Sequence, residues 1–180
     1  MSIALDIVQA LVFGLPERKP AYLRESPILG VDSEAWRDFV KCFVNAENSV
    51  TDHFRYGIFE FTVKRMCDLG LMVNPETTSS RGRLVWVATW VHPLSLRTFL
   101  ADHARQYEAF CQSMAGYASE TIVRQLMGVT IDDTEASLSG LLAVAHRAGL
   151  HGLESWVSDP KERAEFSHTT TLFKNVNGIF

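Results

Sequence analysis

Residues 32–61 read DSEAWRDFVKCFVNAENSVTDHFRYGIFEF, which is an amphipathic helical pattern followed by an aromatic extended one. The side-chain oxygen of Asp32 can cap the helix. The following residues then lie on one helical face, at intervals of four, three and four: Trp36, Val40, Phe43 and Glu47. The pattern therefore predicts a helix whose apolar face ends on a carboxylate.

Glu47 is the candidate catalytic residue. A carboxylate that faces a core loses solvation, which raises its pKa, and a raised pKa suits a general acid that works near neutral pH. The polar run 48–53 breaks the helix, and residues 54–61 read as a short strand. Gly57 in this strand would let the backbone approach a ligand closely.

Three segments resemble the lysozyme-like superfamily of peptidoglycan-cleaving enzymes, particularly lytic transglycosylases and the related muramidases of phage particles. Ala46-Glu47-Asn48-Ser49 is similar to the family's catalytic Glu-Ser, and Tyr56-Gly57-Ile58-Phe59-Glu60-Phe61 to its Gly-x-Tyr-Gln-Phe strand. The segment 142–149, LAVAHRAG, is similar to its Leu-Ala-Ala-Tyr-Asn-Ala-Gly helix. The chain departs from the family at Asn48, at Glu60 and at Ala145-His146.

The resemblance implies a mainly α fold of the α+β lysozyme-like kind. We expect a single helical domain over residues 31–180, with a short β-element after the helix of the catalytic glutamate. Residues 1–30 are expected to form an N-terminal helix or arm and a linker. The family needs no cofactor.

The resemblance also implies roles for individual residues. Glu47 donates the proton to the leaving oxygen. In a muramidase a second carboxylate, Asp52 or Glu60, activates water or acts as nucleophile, whereas a transglycosylase needs only one. Asp52 is alternatively a solvated turn residue, and Glu60 a structural partner of an arginine. The expected substrate-binding residues are Ser49, Tyr56, Gly57, Phe59, Trp86, Trp90 and His146.

Alternatives remain for three of these side chains. Trp86 and Trp90 lie in the segment 71–93, which reads as an irregular loop, and they either stack on sugar rings or fill the core beneath it. His146 either helps to hold the sugar's acetamido group, as the resemblance implies, or ends a helix where the dipole favours it.

The remaining pattern predicts mostly helices. They cover residues 63–69, 95–117, 119–127 and 134–149, a short helix lies at 153–156, and a polar tail follows. The chain has 180 residues, 47% hydrophobic and 21% charged, which suits one globular domain. A net charge of -4 gives no electrostatic reason to expect nucleic acid. Cys42, Cys67 and Cys111 read as buried thiols, and no metal-ligand spacing is visible.

Residues 3–15 are apolar but lack a basic flank, and Asp6 interrupts them, so they do not read as a signal peptide or a membrane span. We expect synthesis in the cytoplasm and action at the cell wall, in the periplasm or in a virion. The expected partners are bacterial peptidoglycan and, through the N-terminal arm or the C-terminal tail, phage tail or secretion-machine proteins. Two alternatives are an inactive lysozyme-like component of a phage tail or contractile injection machine, and a helical bundle in which Glu47 pairs with an arginine.

Overall fold

The computed structural model describes residues 25–46, 55–80 and 82–180, and over these residues the chain is mainly helical. Its three sheets are antiparallel hairpins of two strands each. The helices are α1 (Ser33–Ala46), α2 (Val63–Asp68), α3 (Leu96–Ala101), α4 (His103–Ser119), α5 (Thr121–Leu126), α6 (Leu138–Ser158), α7 (Pro160–Glu165) and α8 (Ser167–Val176). The strands are β1 (Arg55–Tyr56), β2 (Phe61–Thr62), β3 (Met72–Ser80), β4 (Arg83–Trp90), β5 (Thr130–Ile131) and β6 (Thr134–Glu135).

Helix α1 begins where the sequence predicts. Asp32 Oδ1 accepts hydrogen bonds from the backbone N–H groups of Glu34 (2.8 Å) and Ala35 (3.0 Å). The apolar face of α1 is buried, and Trp36 Nε1 donates to the hydroxyl of Tyr107 on α4 at 2.7 Å. The predicted amphipathic helix is confirmed through Ala46, and Glu47 itself lies outside the described residues.

The core is built around α6. Residues 141–145 of this helix are fully buried, and α8 packs along it through Leu172, Phe173 and Val176. The prediction of a polar tail after residue 156 is therefore wrong. Asp159 caps α7 by accepting from the Lys161 N–H at 2.8 Å, and apolar residues at helical spacing in α8 cover the core.

The segment 71–93 is a hairpin rather than the predicted irregular loop. Strands β3 and β4 pair from Met72↔Trp90 to Ser80↔Arg83, and Pro75 lies in the irregularity between Val73 and Glu76. A proline without an N–H is tolerated at a bulge. The β-branched residues of both strands favour this extended pairing over a loop.

Two predicted helix boundaries also differ. The helix predicted over 95–117 is interrupted at Asp102, whose carboxylate caps α4 by accepting from Arg105 N–H at 3.0 Å. The helix predicted over 134–149 begins at Leu138, after the β5–β6 hairpin, and its helical run ends at Gly149 as predicted, with a second run following to Ser158. Gly149 has φ +74°, so it divides α6 into segments 138–148 and 150–158.

The folded unit includes residues that sequence assigned to the linker. Ile28 is 7% exposed and belongs to the core, so the domain extends to the N-terminal side of residue 31. The three cysteines are free and half-buried, each packed against the core.

Candidate functional site

Two of the segments that carry the family resemblance, 56–61 and 142–149, meet at His146, and Phe43 of α1 packs beside them. Its imidazole lies edge-on to the rings of Phe43 on α1, Phe61 on β2 and Phe110 on α4, at centroid distances of 5.4, 5.7 and 5.3 Å. His146 Nε2 lies 2.5 Å from the carbonyl oxygen of Phe59. Because a carbonyl only accepts, this nitrogen carries the proton and donates. The histidine thereby connects α6 to the hairpin that follows α1.

His146 is held neutral by its surroundings. The side chain is 5% exposed, and burial lowers its pKa to about 4, although the Phe59 hydrogen bond acts in the opposite direction. His146 also lines a cleft described below, so its expected contact with a sugar stays a prediction. It lies in the last turn before the break at Gly149, as the helix-end alternative predicted, although burial keeps the imidazole neutral.

The aromatic segment after α1 is a tight hairpin rather than one strand. Strands β1 and β2 pair as Arg55↔Thr62 and Tyr56↔Phe61, with residues 57–60 as the turn. Gly57 has φ +76°, and the Glu60 N–H donates to the Gly57 carbonyl at 3.1 Å. Glu60 therefore lies in a turn and not in the short strand predicted over residues 54–61.

The side chain of Gln106 holds this turn in place through hydrogen bonds. The side chain is fully buried, its Oε1 accepts from the Ile58 N–H at 2.8 Å, and its Nε2 donates to the Phe99 carbonyl at 2.9 Å. A β-carbon on Gly57 would lie 2.2 Å from this Oε1. Residue 57 must therefore be glycine. The Gln106 side chain occupies the space beside it, where the sequence analysis expected a ligand. Sequence reasoning attached no firm role to Gln106.

Glu60 belongs to an ion-pair group that we call the arginine–glutamate cluster, made of Arg55, Glu60 and Arg147. Glu60 Oε2 pairs with Arg55 Nη1 at 3.3 Å and also accepts a hydrogen bond from Arg147 Nη1. The Glu60 side chain is 9% exposed, and the backbone of this residue has φ +49°. Because two arginines already pair with the Glu60 carboxylate, the structural alternative is favoured over a second catalytic group.

The remaining predicted contact residues are separated. Phe59 is fully buried and stacks on Phe110 at 4.3 Å, so its predicted contact with substrate is wrong. Tyr56 packs edge-on against Trp90 at 5.7 Å, and Trp90 lies 5.3 Å from the Phe99 ring. Trp86, farther along β4, is 51% exposed. Trp90 therefore packs against the core, which is one of the two alternatives, while Trp86 has a ring face exposed to solvent.

Glu47, Ser49 and Asp52 lie outside the described residues. The described end of α1 nevertheless reaches the His146 ring cluster through Phe43. Residue 47 thus follows in sequence a helix whose last described turn packs against α6 and α4.

A cleft of about 430 Å³ lies beside the arginine–glutamate cluster. We call it the cationic cleft, and its charged lining comprises Lys64, Arg65 and Asp68 of α2 together with Arg147 of α6. Thr62, Tyr117, His146 and the kink at residues 148–151 complete its walls. His146 was predicted as a substrate contact, whereas the charged residues of the lining were not, because they come from separate helices without a shared motif.

Within the described ranges, no group of three His, Cys, Asp or Glu side chains is arranged to hold a metal ion. None of the described helices is long and apolar enough to cross a membrane. Comparisons of the chain with protein-family models, with curated proteins and with solved structures find no match.

Proposed function

We propose that the protein cleaves the glycan strands of bacterial peptidoglycan, at the β-1,4 bond between MurNAc and GlcNAc, with Glu47 as general acid and base. The observation that supports this most is the meeting at His146 of two resemblance segments and the helix that precedes Glu47. The helix before Glu47 contributes Phe43, the hairpin contributes the Phe59 carbonyl, and α6 contributes the histidine. A lysozyme-like active site requires these segments as neighbours.

The proposed reaction uses one carboxylate. Glu47 gives its proton to the leaving glycosidic oxygen while the C1–O bond breaks and an oxocarbenium-like centre forms. The ionised Glu47 then takes the proton of the muramic acid's own 6-hydroxyl as that oxygen bonds to C1. The products are a 1,6-anhydro end and a new 4-hydroxyl end, and Glu47 is again protonated.

The arginine–glutamate cluster supports this choice over hydrolysis. A hydrolytic muramidase needs a second carboxylate, and Glu60 is already paired with Arg55 and Arg147. Asp52 remains the other candidate for that role. The single-glutamate reaction is therefore the simpler proposal, because it requires no carboxylate besides Glu47.

We propose further that the protein reaches the cell wall in a virion or through a secretion machine. The C-terminal residues pack on their own domain, where the Phe180 carbonyl accepts from the Ser139 N–H at 3.2 Å. The N-terminal segment 1–30 is thus the stronger candidate for contact with a delivery partner.

Digestion of purified peptidoglycan tests the catalytic proposal. Wild type should release anhydro-muropeptides identified by mass spectrometry, whereas Glu47→Gln should release none. Glu34→Gln is the matched control, since it makes the same change at an exposed position on α1. Products with reducing ends instead of anhydro ends would indicate a hydrolase, with Asp52 as the candidate second carboxylate.

A second candidate is an inactive lysozyme-like protein that contributes a scaffold to a phage tail or contractile injection machine. Its support is that Glu60 and His146, two positions that depart from the family pattern, both hold the fold together. The exposed Leu84 and Trp86 on the β3–β4 hairpin also offer an apolar contact surface. Absence of products from wild type and from Glu34→Gln, with both proteins folded, would favour this candidate.

A further inference from the structure

We propose that the cationic cleft binds the free carboxylates of peptidoglycan stem peptides, and this inference rests on the proposed function. Lys64, Arg65 and Arg147 line the cleft, and Asp68 is the acidic residue among its described lining. The protein as a whole carries a net charge of -4. Arg147 is already paired with Glu60, so the charge that the cleft offers to an anionic ligand comes from the exposed Lys64 and from Arg65.

Arg65 is positioned to act on such a ligand. Its Nε donates to the Ser113 hydroxyl at 2.8 Å, and its guanidinium lies 4.3 Å from the centre of the Tyr117 ring. Its carboxylate contact is long, 3.7 Å from Nη1 to Asp68 Oδ2, and the Asp68 side chain is 50% exposed. The Arg65 side chain is 16% exposed, and a guanidinium with one long carboxylate contact gains from a second carboxylate that completes its charge pairing.

The cleft suits a carboxylate group better than a sugar ring. Tyr117 is the aromatic side chain of the described lining, and Arg65 covers its face. A pyranose would find no open aromatic surface there, whereas the planar guanidinium matches a carboxylate. Stem peptides carry such carboxylates next to the glycan, so the cleft adds a peptide contact to the glycan cleavage proposed above.

Binding of a soluble stem peptide tests this assignment without catalysis. NMR titration of the full chain should detect the peptide with free carboxylates, and amidation of those carboxylates should weaken binding by about tenfold. Lys64→Glu, at an exposed position of the cleft, should weaken it by about fivefold or more. Lys161→Glu is the matched control, because it makes the same charge change at an exposed site on α7 and should leave the affinity unchanged.

Arg65→Lys keeps the charge but removes the planar fork, and it should also weaken binding. Equal affinity for the free and amidated peptides would overturn the assignment, as would equal losses in Lys64→Glu and Lys161→Glu. Response to the phosphodiesters of teichoic acid without response to the peptide would do the same.

Digestion of glycan strands stripped of peptide separates the two proposals. Peptide binding with this pattern but no digestion would leave the cleft assignment in place and reject glycan cleavage. Digestion together with indifference to the peptide carboxylates would reject the cleft assignment alone.

Discussion

The side-chain oxygen Oε1 of Gln106 lies 2.2 Å from the point where a β-carbon of Gly57 would stand. The same oxygen accepts from the Ile58 N–H, and the amide nitrogen of Gln106 donates to the Phe99 carbonyl. One buried side chain thus joins the turn after β1 to the α3–α4 junction. The hairpin beside the candidate site depends on this contact.

Gly57→Ala should destabilise the protein by about 3 kcal/mol, because the new methyl group meets Gln106 and the residue has φ +76°. Urea denaturation measures the change. Gly70→Ala is the control, since Gly70 has φ +68° but no atom within 4 Å of its β-carbon position, and it should cost about 1 kcal/mol. Equal losses in the two variants would mean that Gln106 moves aside.

Glu60→Gln should cost about 3 kcal/mol of unfolding free energy, because it removes a buried carboxylate shared by Arg55 and Arg147. Chemical denaturation at pH 7 provides the value. Asp68→Asn changes an exposed carboxylate 3.7 Å from its arginine, and it should cost less than about 0.5 kcal/mol. A loss in Glu60→Gln as small as that in Asp68→Asn would contradict the structural role of the cluster.

Sequence reasoning succeeded where the pattern was local and periodic. The cap at Asp32 and the helical face from Trp36 to Phe43 are local signals, and the structure confirms them. The hairpin over 72–90 was missed because Pro75 and the Thr-Thr-Ser-Ser run were interpreted as loop signals. A bulge absorbs the proline, and pairing with β4 outweighs the local propensity.

The site was less predictable because its contacts join distant residues. Gln106 and Ile58 are 48 positions apart, and so are Arg65 and Ser113. Nothing in a single sequence marks such pairs. The resemblance assigned His146 and Phe59 to substrate, whereas aromatic packing leaves both side chains buried.

Thiol modification should discriminate among the cysteines. Burial raises the pKa of Cys111 to about 11, so little thiolate is present at pH 8. Alkylation of Cys111 in the folded protein should be at least about tenfold slower than in urea, with mass spectrometry of the peptides as the measurement. Cys67, at the surface end of α2, serves as the internal comparison and should show a smaller protection. Equal rates for Cys111 with and without urea would contradict its burial.

His146 should make the stability of the protein depend on pH in a defined window. The folded state lowers the pKa of the imidazole from 6.5 to about 4, so between these values the unfolded chain binds the proton and the folded protein does not. The stabilisation is therefore complete above pH 6.5 and is lost as the pH falls towards 4, by about 3 kcal/mol in all. Denaturation at a series of pH values should show this decline in wild type and in His151→Gln, which replaces an exposed histidine on the same helix. His146→Gln should have a shallower decline, because the variant has no imidazole to protonate at this position. An unchanged slope in His146→Gln would show that other groups govern acid unfolding and that the ring cluster does not hold the histidine neutral.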